Sequence, residues 1–434
     1  MSRVFGIELR RSAALGSAVI LLVVGVLVLF FAGETLFTTG WMQLAMSQRL
    51  FLALLWPVAL AAGAWQARRE IRSKVEELFA TTPRPRAHRM IPTLGAMGVG
   101  VVAGYLAMAL AGGLWIVRTA RYLPVQFFAV TAVGLLSLIA AVWLGLAVGR
   151  LLPSPATAPG LGVAGLGLLL VIPGATRPRG WLALVFSPIY EMNMPDAYTT
   201  VPGRVSLSQA IWMTALAVAA VLLFASNGWR LRVAAVLPVV LGAALAIAAM
   251  PHQKRVVVDA IDPVARELVC EPQVCVSRVH SGLLGEVTPR AREGLKILAK
   301  LPAAPTQVHE DTTTYGPPMY PAWHDDVVLL TVHADSKAHL DNRGGTAAEV
   351  VAGAFASKPN CANFAGPAER LAAAYWLIGS EPVARGDYDP AAIGEAVQLW
   401  QGLRQLPESE AMAKIVALRQ AALACTVEKG QLSR

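Results

Sequence analysis

Long uncharged runs of apolar residues alternate with short charged segments over the first 250 residues of the chain. A helix needs about 20 such residues to cross ~30 Å of hydrocarbon. A soluble core would have to bury seven of these runs with little charge between them, so the pattern favours seven membrane spans. The predicted spans lie near 13–32, 50–67, 90–115, 125–149, 158–175, 206–228 and 233–252.

The hydrophobic excess ends near residue 253, which predicts a transmembrane domain over 1–253 and a second domain over 254–434. The first apolar run is longer than the core of a signal peptide, and we expect it to be a retained span. In the second domain, β-branched segments and helical periodicity alternate. The sequence therefore predicts an α-helical polytopic membrane bundle followed by a soluble α+β domain that is mainly helical. Strands are expected at 254–258 and 327–333, and helices at 290–301, 367–378, 390–405 and 408–425.

Composition supports the membrane interpretation: 55% of residues are hydrophobic and 15% are charged, against about 25% charged in soluble domains. The net charge of +9 comes from arginine in short loops, without the aromatic interleaving typical of nucleic-acid binding, so we expect no nucleic-acid partner. With seven spans and a cytoplasmic N-terminus, cytoplasmic segments carry thirteen Lys and Arg against six outside. The positive-inside rule then predicts a plasma-membrane protein whose C-terminal domain is extracytoplasmic.

All four cysteines lie after residue 253, where that orientation places them in an oxidising compartment. An even number of cysteines there favours disulfides over free thiols, and four cysteines allow three pairings. The pairing Cys270–Cys275 with Cys361–Cys425 is favoured, because the first closes a short turn and the second ties a loop to the last helix. One loosely spaced pair makes a zinc ribbon the weaker alternative.

The charged segment between spans two and three predicts an amphipathic helix over 68–81. Ile71, Val75, Leu78 and Phe79 share one helical face. Pro83 ends the helix, because proline disfavours helical geometry in the residue before it. By itself this pattern is also typical of an interfacial helix that anchors the bundle.

The same segment carries Glu70, Glu77, Leu78, Ala80, Thr81, Thr82 and Pro83. In these residues it resembles the loop E-x-G-T-x-E-x-L-x-x-T-P of permease subunits of type-2 ABC transporters, with Arg72-Ser73 in place of Gly-Thr. In that family the helix docks on the ATPase subunit. The resemblance spans about residues 1–230, and it also includes 180–190, an apolar stretch too short to cross, similar to the family's half-inserted hairpin before the last span. It implies an ATPase contact formed by Glu70, Arg72, Val75, Glu77, Leu78, Thr82 and Pro83.

That resemblance implies a transport subunit working as a homodimer or paired permease in contact with membrane lipid. No phosphate-binding G-x-x-x-x-G-K-[ST] loop occurs in the sequence. We therefore expect no enzyme activity and no cofactor in this chain, with ATP and Mg²⁺ bound by a partner ATPase. The family has six spans, so the expected seventh is a departure that carries the C-terminus outside.

Apart from His252 at the end of the last one, the predicted spans contain no acidic residue, lysine, arginine or histidine, whereas proton- and ion-coupled carriers usually need one. This favours export of a hydrophobic or amphipathic cargo, such as a lipid, peptide or drug-like molecule. Two alternatives remain: a sensor or assembly factor with an outer binding domain, and a membrane-anchored surface hydrolase. The His-Glu-Asp run at 309–311 and the His-Asp-Asp run at 324–326 are the candidate metal ligands, although surface clusters of this kind are usually solvated, and no metal site is expected.

Overall fold

The structure is a computed structural model, and it divides the chain into two compact units. The first comprises residues up to 117 together with 123–262, and the second comprises 118–122 and 263–434. The boundary falls nine residues after the position expected from hydropathy. The residues described are 6, 8, 9, 12–32, 37–69, 86–192, 194, 196–226, 228–252, 260–315, 318–342, 344–358, 361–383, 389–428 and 430–433.

The first unit is helical throughout its described elements. Among the described residues, six helical segments are long and apolar enough to cross a membrane, the last of them being the continuous segment Trp229–Ala249, and a bent pair would supply a seventh crossing. Its helices are α1 Ala13–Phe31, α2 Trp41–Leu50, α3 Leu52–Ala67, α4 Arg86–Ile116, α5 Val125–Leu151, α6 Thr157–Ala175, α7 Gly180–Phe186, α8 Gly203–Ala225, α9 Trp229–Ala234 and α10 Val236–Ala249.

The second predicted span is the one that differs most from expectation. It begins at Trp41 instead of residue 50, and α2 and α3 meet at an angle of 51° around Phe51. Hydropathy missed α2 because its sequence includes Gln43, Ser47, Gln48 and Arg49. All four of these polar residues are buried in the unit.

Glycine lets two pairs of helices pack with their backbones in contact. A Cβ on Gly145 or Gly149 of α5 would collide with the backbone of α3 at Leu60 or Ala64. In α4, Gly100 and Gly104 lie in the same way against the backbone of α1. Both pairs have the small-xxx-small spacing by which membrane helices approach closely. The glycine-rich run in span three is therefore a packing surface.

The last helices of this unit form a hairpin. Thr200 N–H donates to the Ala260 carbonyl at 2.9 Å, and Asp262 N–H donates to the Tyr198 carbonyl at 2.8 Å. These bonds join the segment before α8 to the segment after α10. Because α8 and the α9–α10 pair lie between those segments, the chain leaves one end of the bundle and returns to it.

The second unit combines short strands with helices. Its elements are α11 Pro263–Arg266, β1 Leu268–Glu271, β2 Val274–Ser277, α12 Leu284–Leu298, β3 Gln307–Glu310, β4 Thr314–Tyr315, β5 Pro318–Met319, β6 Val327–Leu330, α13 Thr346–Gly353, α14 Pro367–Ile378, α15 Pro390–Gln405 and α16 Glu408–Ala424. Four of the strands form a sheet in the order β1-β2-β3-β6. Strands β1 and β2 are antiparallel, while β2–β3 and β3–β6 are parallel. A separate hairpin consists of β4 and β5.

The predicted elements of this unit are recovered unevenly. Helices α14, α15 and α16 occupy the expected positions, and α12 begins six residues earlier than expected. The strand expected at 254–258 lies outside the described residues. Strands β1, β2 and β3 and helix α13 were not predicted, because each is only four to eight residues long.

Both disulfides have the pairing that loop length favoured. Cys270 is bonded to Cys275 across the β1–β2 turn, and Cys361 to Cys425 just after α16. The second bond ties the helical end of the chain to the loop after α13. In the described part of the chain no cysteine is free. Disulfides persist in oxidising compartments, which suggests an extracytoplasmic location for this unit.

Candidate functional site

The predicted ATPase-contact residues Glu70, Arg72, Val75, Glu77, Leu78, Thr82 and Pro83 all lie outside the described residues. The structure does describe the two flanks of that segment. Glu8 Oε1 accepts hydrogen bonds from Gln66 at 3.4 Å and Thr93 at 3.5 Å, and it forms an ion pair with Arg69 at 3.3 Å. One carboxylate therefore joins the end of α3 to the start of α4, on either side of the segment.

The predicted half-inserted hairpin corresponds to α7, which has seven residues and is too short to cross a bilayer. The loop that follows it enters the interior of the first unit, where Ser187 is fully buried. The carbonyl groups of Leu184 and Pro188 accept hydrogen bonds from side chains of other helices. Buried carbonyls at a helix end need such partners because they have none within the helix.

Arg49, near the end of α2, supplies most of those bonds and is 1% exposed. Its Nε donates to the Pro188 carbonyl at 3.1 Å, and Nη2 donates to the same oxygen at 2.9 Å. Nη2 also donates to Gln209 Oε1 at 3.0 Å, while Nη1 donates to the Val130 carbonyl at 3.3 Å. One side chain thus connects α2, α5, α8 and the loop after α7.

We call Arg49 and four residues of the neighbouring helices the arginine centre: Arg49, Tyr105, Thr131, Gly134 and Gln209. A Cβ on Gly134 would lie 2.5 Å from Tyr105 Oη and 3.0 Å from Arg49 Cδ. Thr131 lies one turn earlier on the same face of α5. Gln209 Nε2 donates to the Leu184 carbonyl at 2.9 Å, so this amide bridges Arg49 and the hairpin.

The hydroxyl groups of Tyr105 and Thr131 are buried, and neither has a hydrogen-bond partner among the described residues. Leaving a buried polar group unpaired typically costs about 1–3 kcal/mol. Arg49 also has no carboxylate within ion-pair distance in that part of the chain, since its acceptors are carbonyl and amide oxygens. The arginine centre therefore holds a buried positive charge close to the unpaired Tyr105 hydroxyl, with the unpaired Thr131 hydroxyl one turn from Gly134 on α5.

This finding corrects the expectation that the membrane helices lack ionisable side chains. The predicted second span starts at residue 50 and leaves Arg49 just outside it, because α2 is too polar to register as part of a span. The buried Arg49 has the chemistry of a fixed cation, since guanidinium does not deprotonate in proteins. It therefore does not turn the helical unit into a proton relay.

A fully buried polar cluster lies among the described residues of the second unit. His280 Nδ1 lies 2.5 Å from Glu310 Oε1 and 3.3 Å from Ser277 Oγ, and the Ser277 N–H donates to Glu310 Oε2 at 2.7 Å. A nucleophilic triad needs the serine and the carboxylate on opposite nitrogens of the imidazole. Here both contact the same nitrogen. The cluster joins β2 to β3 and supports the fold.

The candidate metal ligands at 309–311 and 324–326 are not brought together as a metal site among the described residues. Glu310 belongs to the buried cluster, and Asp311 Oδ1 accepts from the N–H and hydroxyl of Thr313. Burial lowers the pKa of His309, with Asp326 opposing that effect and His324 adding to it. His309 also contacts Gln307 Oε1 at 3.0 Å.

No protein-family model, curated protein or solved structure matches this chain.

Proposed function

We propose that the chain is the membrane-spanning subunit of an ATP-driven transporter of the type-2 ABC class, which exports an amphipathic molecule. Five span-length segments, a short helix that cannot cross and a further span follow one another in the first unit. The observation that carries the proposal is the position of α7, held inside the unit by Arg49 and Gln209 directly before α8. This order is the one that the sequence resemblance implies.

Seven crossings fit this arrangement when the α2–α3 pair counts as one bent span. The hairpin of α8 with α9–α10 then adds the crossing that six-span relatives lack. It returns the chain to the end of the bundle where α8 begins. With a cytoplasmic N-terminus, this end is extracytoplasmic, and the two disulfides of the second unit favour the same orientation.

Coupling to ATP is assigned to residues 68–89 and to a separate ATPase chain. Glu8 supports this assignment, because its carboxylate ties both flanks of the segment to one point. Movement of a docked helix would then be transmitted directly to α3 and α4. Because α3 packs backbone to backbone against α5, such a displacement would reach the arginine centre through rigid contacts.

The test is co-expression of the full chain with a candidate ABC ATPase from the same genome, followed by co-purification and measurement of ATP turnover in nanodiscs. Glu77→Ala and deletion of 68–83 should each abolish co-purification or the stimulation of turnover. Glu293→Ala, at an exposed position of α12, is the control and should change neither. Unaltered coupling after the deletion would refute the docking proposal.

A further inference from the structure

The arginine centre has a charge that nothing described in the chain balances. Arg49 is buried among carbonyl and amide acceptors, with no carboxylate partner in the described residues. An isolated buried charge is strongly disfavoured unless a counter-charge is supplied. We propose that the arginine centre binds the acidic head group, a carboxylate or a phosphate, of the amphipathic cargo; this inference rests on the proposed transport function.

The hydrogen-bonding groups of the centre have the polarity that an anion requires. Arg49 has five N–H donors, of which four make the bonds described above, so one Nη1–H remains. The hydroxyls of Tyr105 and Thr131 are two further donors without partners in the described structure. The free Nη1–H and the Tyr105 hydroxyl lie at a fixed positive charge, and the Thr131 hydroxyl is one helical turn from Gly134 on α5. Such donors suit anionic oxygen atoms, which accept several short hydrogen bonds.

The absence of a side chain at Gly134 keeps these groups close together. A Cβ there would collide with Tyr105 Oη and press on Arg49 Cδ. Any larger residue at 134 would therefore push the tyrosine or the arginine away. The glycine thus lets the polar groups of Tyr105 and Arg49 lie against α5 at this position.

The depth of the centre favours an anion that carries an acyl chain. Val130 lies five residues from the start of α5, which corresponds to roughly 8 Å along the axis. Tyr105 lies eleven residues from the end of α4, or roughly 16 Å. A head group at this depth leaves its chain among apolar helices or lipid. A free inorganic ion would have to lose its hydration without that compensation.

Binding to the purified full chain in zwitterionic nanodiscs tests the inference. The probes are dodecanoate, dodecyl phosphate, dodecanol of the same chain length, and inorganic phosphate, with intrinsic tryptophan fluorescence as the readout. We expect the two charged amphiphiles to bind at least about tenfold more tightly than dodecanol, because a hydrogen-bonded charge contributes at least that factor. Inorganic phosphate should not displace them at equal concentration.

Variants that remove only an unpaired hydroxyl separate binding from folding. Tyr105→Phe and Thr131→Val should each weaken dodecanoate binding about tenfold, the loss expected for one hydrogen bond to a charged group, and leave dodecanol binding unchanged. Arg49→Gln should abolish the preference for charge. Ser137→Ala is the matched control, since this buried hydroxyl lies on the same helix and already donates to the Val133 carbonyl. It should alter neither affinity.

Equal affinity for dodecanoate and dodecanol, or unchanged dodecanoate binding in both hydroxyl variants, would overturn the inference and leave Arg49 as a structural link. Displacement by inorganic phosphate would also overturn it in favour of a free ion. If Arg49→Gln does not fold, the hydroxyl variants still decide. The binding assay contains no ATP or ATPase, so it is independent of the transport proposal. Failure to find an ATPase partner would contradict only the transport proposal. Intact ATP coupling in a chain that shows no preference for charged amphiphiles would contradict only this inference.

Discussion

The close contact between α3 and α5 makes a sharp prediction at Gly145. A Cβ on this residue would overlap the Leu60 carbonyl and approach Ala64 N at 3.1 Å. Both obstacles are backbone atoms of a neighbouring helix, so no side chain can rotate to make room. Gly145→Ala should therefore push two spans apart over several turns.

The magnitude follows from two opposing effects. Overpacking a close-packed site costs about 1–3 kcal/mol, whereas alanine in place of a helical glycine gains about 0.5–1 kcal/mol. We expect a net loss of roughly 1–2 kcal/mol for Gly145→Ala. Gly167→Ala is the matched control, because Gly167 lies within α6 and nothing is within 4 Å of its would-be Cβ. The control should be stabilised by about 0.5–1 kcal/mol.

Unfolding by titration with SDS from mixed micelles, followed by tryptophan fluorescence, measures both variants against the unmodified chain. The expected result is a lower midpoint for Gly145→Ala and an equal or higher midpoint for Gly167→Ala. If Gly145→Ala is as stable as Gly167→Ala, the two helices are not in backbone contact, and the packing argument is wrong.

Three further predictions concern the second unit. Glu310→Ala should lower the free energy of unfolding by about 2–6 kcal/mol, because it removes the carboxylate that both the His280 ring and the Ser277 N–H contact, and each such loss typically costs about 1–3 kcal/mol. Replacing Cys361 and Cys425 by serine together should cost about 4 kcal/mol, from the 64-residue separation that this disulfide closes. Burial raises the pKa of the Glu349 carboxyl, the hydrogen bond from Asn342 opposes this, and Asp341 adds to it. A raised folded-state pKa means stability that is present below the unfolded pKa and lost as pH rises, so Glu349→Gln should raise the melting temperature at pH 7 and not at pH 4.

Each of these predictions has a clear contradicting result. If Glu310→Ala has the same melting temperature as the unmodified chain, the His280 cluster does not contribute to stability. Unchanged unfolding on removal of the long disulfide would place that bond outside the cooperative unit. For Glu349→Gln the control is Glu293→Gln, at an exposed position. A pH-independent difference at 349, or an equal difference at 293, would contradict the burial argument.

Local signals determined the elements that the sequence placed well. In α15, Pro390 occupies the first turn and the Asp389 side chain caps the Ala391 N–H, while α14 begins at Pro367 and ends before Gly379 in the left-handed conformation. These are start and stop signals that act within a few residues. The span-length apolar runs were equally readable, because hydropathy over 20 residues needs no knowledge of the partner helices.

The short strands could not be read in the same way. Strand β2 is only four residues long, and its stability comes from pairing with β3, more than 30 positions later. Parallel pairing of this kind depends on residues far apart in sequence. The same is true of the cluster of Ser277, His280 and Glu310, in which Glu310 lies 30 or more residues after the other two in sequence. In the sequence, Glu310 was only part of a His-Glu-Asp run of the kind that is usually solvated.

By itself the sequence determined that this is a membrane protein with an appended disulfide-bearing domain, because hydropathy, charge bias and cysteine position are additive properties of the chain. Only the tertiary structure decided the position of Arg49. In sequence it is a basic residue at the edge of a span, where arginine is ordinary. In the fold, the bend after Leu50 turns α2 inward and buries the guanidinium against carbonyls more than 80 residues away. Burial and the lack of a counter-charge depend on which segments meet, and no local pattern encodes that.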